Sequence, residues 1–241
     1  MASEPRVPSA SYTIEDQERM ALAGNYLAWQ GHLVLPQLGQ RVIELGCGIG
    51  NFTGKLLDRE MVVAVDINSD CVERVRERYP GQTNLHPVVC DTSTVSFAEL
   101  ARFRPDSCLC VNVLEHIEDD QRALRAMGSI LEPGGTIVLF VPAFQSLYGP
   151  IDWNLGHYRR YTRESIKWLA GSSGLRVKRV HYVNIVGFFV WWLNFRILRR
   201  EALTKEQVSI FDRFVVPWLS RLEGVVHPPF GQSLLAILEK T

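Results

Sequence analysis

Short, almost wholly apolar runs alternate along the chain with charged stretches of helical spacing. Arg41–Leu45, Met61–Ile67, His86–Cys90, Asp106–Val113 and Thr136–Val141 read as five strands. Their Val, Ile, Leu and Cys content predicts strands covered on both faces, as in parallel sheets. Between them, 51–59, Ser69–Tyr79, Ser96–Arg102 and Asp119–Leu131 read as helices, two of them stopped by Pro80-Gly81 and Pro133-Gly134-Gly135. Arg163–Ser172 is a further helix, Arg176–Val183 a sixth strand and Gly231–Glu239 a seventh. Ahead of the first strand, residues 14–35 read as one helix, ended by Pro36, with Met20, Leu22, Tyr26, Leu27, Trp29, Leu33 and Val34 broadly on one side. The alternation predicts an open α/β sheet with helices on both faces.

One stretch breaks the rhythm. Residues 184–228 stand between strands six and seven, where a tight hairpin would suffice. They hold a second helical pattern over 206–223 and are expected to form a helical cap on the sheet. The longest apolar run, Ile185–Leu193, has nine residues. Spanning a bilayer takes roughly 20, so no transmembrane helix is expected.

Composition narrows the classes. A chain of 241 residues that is 46% apolar can bury a sizeable core, and one elaborated domain over 1–241 is expected. The 26 basic side chains balance 26 acidic ones, which disfavours a generic nucleic-acid binder. The N-terminus lacks the pattern of a signal peptide, and the Pro/Ser-rich residues 1–13 are expected to fray. Cys47, Cys71, Cys90, Cys108 and Cys110 show neither CxxC nor CxxH spacing. Neither a disulfide framework nor a metal site is expected, and a cytoplasmic location fits.

The strongest local signal is Val42-Ile-Glu-Leu-Gly-Cys-Gly-Ile-Gly-Asn51, a strand running into a glycine-rich turn. Glycine lets a ligand approach the backbone without meeting a Cβ. A dinucleotide site would want G-x-G-x-x-G, but the third glycine comes one residue early at Gly50, which weakens a nicotinamide oxidoreductase reading. The second strand ends in Asp66, suited to accept from two ribose hydroxyls, and the third leads to Asp91. These positions lie at carboxyl ends of strands, where open α/β sheets bind ligands.

The pattern resembles the class I S-adenosylmethionine-dependent methyltransferases. Glu44-x-Gly46-x-Gly48-x-Gly50 is similar to their first motif, Val111-Asn-Val-Leu-Glu-His-Ile117 to the fourth, and Leu131-Glu-Pro-Gly-Gly135 to the turn before the fifth strand. The resemblance covers about 20–183 and strand seven. It implies a Rossmann-like sheet of seven strands, the last antiparallel, with the N-terminal helix at 14–35 and a cofactor-binding core at 41–141. It implies S-adenosyl-L-methionine as cofactor and S-adenosyl-L-homocysteine as product. Gly46, Cys47 and Gly48 would line the methionine end, and Glu44 would hold the amino group. Asp66 and Ile67 would hold ribose and adenine, Asp91 and Thr92 the adenine, and Asn112 the methionine portion. Tyr26 would close over the carboxylate. Asp91 as a helix cap and Tyr26 as core are the plainer readings.

The acceptor would meet residues 142–162, a long aromatic loop after strand five; loops of this length are commonly functional. Its Gly156-His-Tyr-Arg-Arg-Tyr-Thr162 segment resembles a bacterial group found among surface-glycan and natural-product enzymes. His157 is the preferred general base, ahead of His116 and Asp152. Arg159 and Arg160 could clamp a phosphate or carboxylate, or simply be solvated or capping. Tyr148, Tyr158, Tyr161, Trp191 and Trp192 are candidate acceptor contacts. Residues 157–200 carry ten Lys/Arg and one acid, Glu164. That segment reads as a pocket for an anionic acceptor, a peripheral membrane contact, or a buried helix with solvated charges. The expected activity is methyl transfer to a small-molecule or lipid-linked acceptor in biosynthesis. A protein or RNA acceptor, or binding without turnover, are the alternatives.

Overall fold

The computed structural model describes residues 13–197, 205–223 and 228–241. The expectation for residues 1–12, and Arg199, Arg200 and His227, lie outside them. The strands are β1 (Arg41–Leu45), β2 (Met61–Asp66), β3 (Leu85–Val89), β4 (Ser107–Val111), β5 (Thr136–Pro142), β6 (Leu175–Val183) and β7 (Ser233–Lys240). They form one sheet in the order β3-β2-β1-β4-β5-β7-β6. The pairs among β1 to β5 are parallel, and β7 runs antiparallel between β5 and β6. This is the Rossmann-like order with a reversed last strand. Val42, Ile43, Val62, Val63, Ala64 and Val65 have no exposed surface, as near-continuous apolar strands predict.

The helices are α1 (Ile14–Ala21), α2 (Gly24–Val34), α3 (Ser69–Arg78), α4 (Val95–Ala98), α5 (Asp120–Ile130), α6 (Pro150–Asn154), α7 (Arg163–Ser172), α8 (Ile185–Trp191), α9 (Lys205–Ile210) and α10 (Val216–Glu223). Polar residues before five of them cap the first turn, Thr13 for α1 and Asn184 for α8 among them. Asn68 accepts from Asp70 N at 2.9 Å, Asp119 from Arg122 N at 2.9 Å and Thr162 from Ser165 N at 3.1 Å. Each such cap is worth about 1 kcal/mol. α8 and α9 each run on into a π-helical turn, Trp192–Ile197 and Phe211–Val215, and the second joins α9 to α10.

Two expected helices are corrected. The helix over 14–35 is two, interrupted at Leu22-Ala23. Ala23 cannot cap α2, and Asp212 does so from the cap region. Its Oδ1 accepts from Tyr26 N at 2.8 Å and its Oδ2 from Asn25 N at 3.2 Å. Residues 51–59 form only one tight turn, Thr53–Lys55. Side-chain contacts hold this segment instead: Thr53 donates to Glu44, and Asn51 donates to the Gln17 carbonyl at 3.1 Å. Gly50 and Gly54 also lower its helix propensity.

Candidate functional site

A cavity of about 1390 Å³ opens along the carboxyl ends of β1, β2 and β4. The glycine turn forms its floor. Gly46 and Gly48 have φ of 71° and 52°, the left-handed region that favours glycine. A Cβ at Gly46 would collide with Val113, and one at Gly48 with Gln17. The turn is fastened to β2: Asp66 Oδ2 accepts from Gly48 N at 2.8 Å and its Oδ1 from Asn68 N at 2.9 Å.

Glu44 is buried beneath this turn and takes a hydrogen bond from Thr53 Oγ1 at 2.6 Å. Burial pushes its carboxyl up to about 8; the Thr53 hydroxyl opposes the rise and the Asp66 charge adds to it. Burial, with Glu44 and Asp66 nearby, pushes the Cys47 thiol well up, so it is a neutral packing residue rather than a nucleophile. Asp91 accepts from Ser93 N at 2.8 Å in a local turn. Asn112 holds φ at 52°, an uncommon conformation for a non-glycine residue, and Gly46 packs close beside the next residue, Val113. All ten residues expected to hold the cofactor line the cavity: Tyr26, Glu44, Gly46, Cys47, Gly48, Asp66, Ile67, Asp91, Thr92 and Asn112.

Two walls went unread in the sequence. Gln17 of α1 lies over the glycine turn, its Oε1 accepting from Ile49 N at 2.8 Å. Nothing in the spacing of α1 marks that residue. On the far side, Asn184 adopts the left-handed conformation and donates to Gln232 Oε1 at 2.8 Å. Glu223 of α10 accepts from the backbone N–H groups of Asn184 and Ile185 at 2.8 and 2.9 Å. The Tyr26 phenol hydrogen-bonds Ser233 and Asn184; burial pushes it up to about 12. Asp212 and Glu223 thus tie the cap to α2 and to the start of α8.

The loop after β5 folds back on the turn after β4. Asp152 is fully buried, and its Oδ1 meets His157 Nδ1 at 2.8 Å and Arg160 Nε at 2.7 Å. Burial alone would raise the Asp152 carboxyl, but His157 and Arg160 hold it below its ordinary value. The rings of His116 and His157 meet edge to face, centroids 4.6 Å apart. Burial, then the neighbouring His157, pushes His116 down to about 3. Burial lifts Glu115 to about 7, with His157 and Arg160 opposing. Among the described residues, neither Glu115 carboxylate oxygen has a hydrogen-bond partner.

The expected acceptor contacts divide. His157, Tyr158, Arg160 and Trp191 line the cavity together with Glu115 and His116; Tyr148, Arg159, Tyr161 and Trp192 do not. Arg160 is no free clamp: its guanidinium is spent on Asp152 and lies over the Trp191 ring at 4.5 Å. Arg159 pairs with Asp120 at 2.7 Å, and the Tyr161 hydroxyl also donates to Asp120 at 3.0 Å. Tyr148 donates to the His157 carbonyl at 2.6 Å. Trp192 faces outward. Arg176 and Lys178 share Glu239, so four of the segment's ten basic side chains are paired with acids.

An α/β sheet with a glycine turn and two strand-end acids defines a nucleotide-type ligand site at the switch between β1 and β4. The chain belongs to the methyltransferase domain family, whose pattern matches residues 15–180. It is 29% identical over 146 residues to an uncharacterized methyltransferase of Mycobacterium tuberculosis, a match covering 60% of this chain and 66% of that one. It is 33% identical over 110 residues to the ubiquinone biosynthesis O-methyltransferase of Xanthomonas campestris pv. campestris, 42% of each chain. These matches leave a third or more of each relative uncovered. The fold is similar to that of a chain in the complex between the Haloferax volcanii Trm112 methyltransferase activator and a methyltransferase (TM-score 0.65, 16% identity, 94% of this chain and 95% of that one). It is also similar to a SAM-dependent methyltransferase from Archaeoglobus fulgidus (TM-score 0.57, 18% identity, 90% and 94%). The chain therefore has the SAM-dependent methyltransferase fold, which implies S-adenosyl-L-methionine as cofactor. The donors fit that group: among the described residues no cationic side chain pairs with the buried Glu44, and the cofactor carries an amino group. Among the described residues, no helix is long and apolar enough to cross a membrane.

Proposed function

We propose that this chain transfers a methyl group from S-adenosyl-L-methionine to a small-molecule or lipid-linked acceptor. One observation carries the reading: a single cavity is lined both by the strand-end residues Glu44, Gly48, Asp66 and Asp91 and by the buried His157. In this reading Asp66 and Ile67 hold the ribose and its flank, Asp91 and Thr92 the adenine, and Glu44, Gly46, Cys47, Gly48 and Asn112 the methionine end. Tyr26 closes the side toward β7.

The sulfonium supplies an already activated methyl group, so the chain's task is orientation and exclusion of water. The acceptor's lone pair forms the new bond to carbon as the sulfur–carbon bond breaks, its electron pair going to sulfur. His157 takes the acceptor's proton on the ring nitrogen that Asp152 leaves free. The O-methyltransferase name of the Xanthomonas relative favours an oxygen nucleophile.

The outer face of the cap favours a lipid-linked acceptor. Ile210, Phe214, Trp218 and Leu222 are exposed at four-residue spacing, one stripe along the helix, and Trp218 is 73% exposed. Arg213 and Arg221 lie over the rings of Phe214 and Trp218. Aromatic residues beside arginines suit an anionic lipid surface. The test incubates the protein with methyl-labelled cofactor and an extract of its source cells, then separates lipid, small aqueous and macromolecular fractions. Label in the lipid or small aqueous fraction is expected. Label only in protein or RNA would overturn the reading and reassign the stripe to a partner protein.

A further inference from the structure

We propose that Glu115, His116 and His157 form a site for one divalent transition-metal ion, and that this ion anchors an oxygen-bearing acceptor. One donor atom from each residue lies within 4.8 Å of the others, and all three residues line the cavity. Two ligands of one Zn²⁺, each about 2.1 Å from it, are at most about 4.2 Å apart, so small side-chain rotations close the set.

Three independent features point to an ion. First, Glu115 has no exposed surface, yet neither carboxylate oxygen has a hydrogen-bond partner among the described residues. A buried carboxylate left so is costly unless something completes it. Second, both histidines are braced from behind. His157 Nδ1 meets Asp152 at 2.8 Å, Arg160 holds that same carboxylate at 2.7 Å, and His116 hydrogen-bonds the Gly156 backbone. Metal-ligating histidines characteristically give their second nitrogen to a carboxylate or carbonyl in this way. Third, two imidazoles and one carboxylate are a donor set for Zn²⁺, Mn²⁺, Co²⁺ or Fe²⁺, and three protein ligands leave coordination positions open toward the cavity.

The inference rests on the methyltransferase reading for its acceptor but not for its ion. It changes the part played by His157, which becomes a ligand rather than a free base. An acceptor hydroxyl bound to the ion is acidified and loses its proton to solvent. The acceptor class is then one whose methylated oxygen, alone or with a neighbouring oxygen, can coordinate a cation.

The test strips the full-length protein with a chelator and titrates Co²⁺, following its visible absorption, with Zn²⁺ in competition. Binding of S-adenosyl-L-homocysteine by calorimetry is measured alongside as a check of folding. The wild type is expected to bind one Co²⁺ per chain. Glu115→Gln and His116→Ala should weaken it at least about a hundredfold, and Asp152→Asn about ten- to a hundredfold, as for other residues that orient ligands. Cofactor-product affinity should stay unchanged in all three. No Co²⁺ binding by the wild type, or equal binding by Glu115→Gln, overturns the inference. Methyl transfer at full rate in the metal-free protein would overturn it too while leaving the methyltransferase reading intact. Ion binding without any affinity for the cofactor product would do the reverse.

Discussion

The two ends of the cavity are built on different principles. At the cofactor end, the walls are sheet backbone and strand ends. Gly46 and Gly48 are fixed by hydrogen bonds to β2, and β1 and β2 are sealed on both faces. Asp66 and Asp91 bring negative charge to it, and Glu44, lifted to about 8 by burial, is held mostly protonated beneath the turn. At the acceptor end, the walls are a loop and a cap, held by buried charges. Asp152, His157 and Arg160 share one carboxylate, and Asp212 and Glu223 pin the cap through backbone N–H groups. A backbone cradle tolerates most changes except a Cβ. A buried charge network fails as a unit when one member goes.

The sharpest break of that contrast is Asp152→Ala. It leaves Arg160, with a side chain only 1% exposed, without its counter-charge, and frees His157 from its hydrogen bond. Breaking a buried pair from one side costs roughly 3–5 kcal/mol. Unfolding in urea should show a loss of that order, with the midpoint lowered and the slope little changed. A loss under about 1 kcal/mol would mean that water reaches the network and that the acceptor end is not sealed.

Asp66→Ala probes the other end. Its oxygens anchor Gly48 and Asn68 and, in the proposed reading, the ribose hydroxyls. Hydrogen bonds to a charged group are worth about 1.5–3 kcal/mol each, so cofactor affinity should fall at least about a hundredfold in calorimetry. Asp66 is only half-buried, so stability should fall less than for Asp152→Ala. Unchanged affinity would remove Asp66 from the cofactor site.

The two ends also differ in how much the sequence discloses. Gly46, Gly48, Asp66 and Asp91 were legible because the signal is local: a glycine follows an apolar strand, and an acid ends the next. The seven strands were legible for the same reason. The break between α1 and α2 was not, because the group that caps α2 is Asp212, 186 residues from Tyr26. Arg160 looked like a free cation because its partner, Asp152, lies in the same loop and burial is not written in spacing. Trp192 follows Trp191, but consecutive helix positions point some 100° apart, and only Trp191 reaches the cavity. His116 read as a second candidate base and Glu115 as part of the Val111–Ile117 motif; their approach to His157 needed the loop's fold-back, which no periodicity announces.

The smallest effect is linked to protons at the cofactor end. Burial lifts the Glu44 carboxyl from its ordinary value near 4.5 to about 8, so at pH 7 it is mostly protonated in the free protein. A raised folded-state value means that its contribution to stability is complete below pH 4.5 and is lost as pH climbs through 8. A cationic amino group brought beside Glu44 favours the ionised form and reverses the shift. Cofactor binding should therefore release up to one proton near pH 7 and tighten as pH rises from about 6 to 8, by at most about tenfold per unit. Calorimetry in two buffers of different ionisation enthalpy reads that proton directly. Glu44→Gln should abolish the release and lessen the loss of stability as pH rises toward 8, above the range in which Glu115 titrates. The proton persisting in Glu44→Gln would assign it to another group, and a wild type that releases none would mean that the amino group binds away from Glu44. Either result would separate the buried acid from the methionine end while leaving the glycine cradle as it stands.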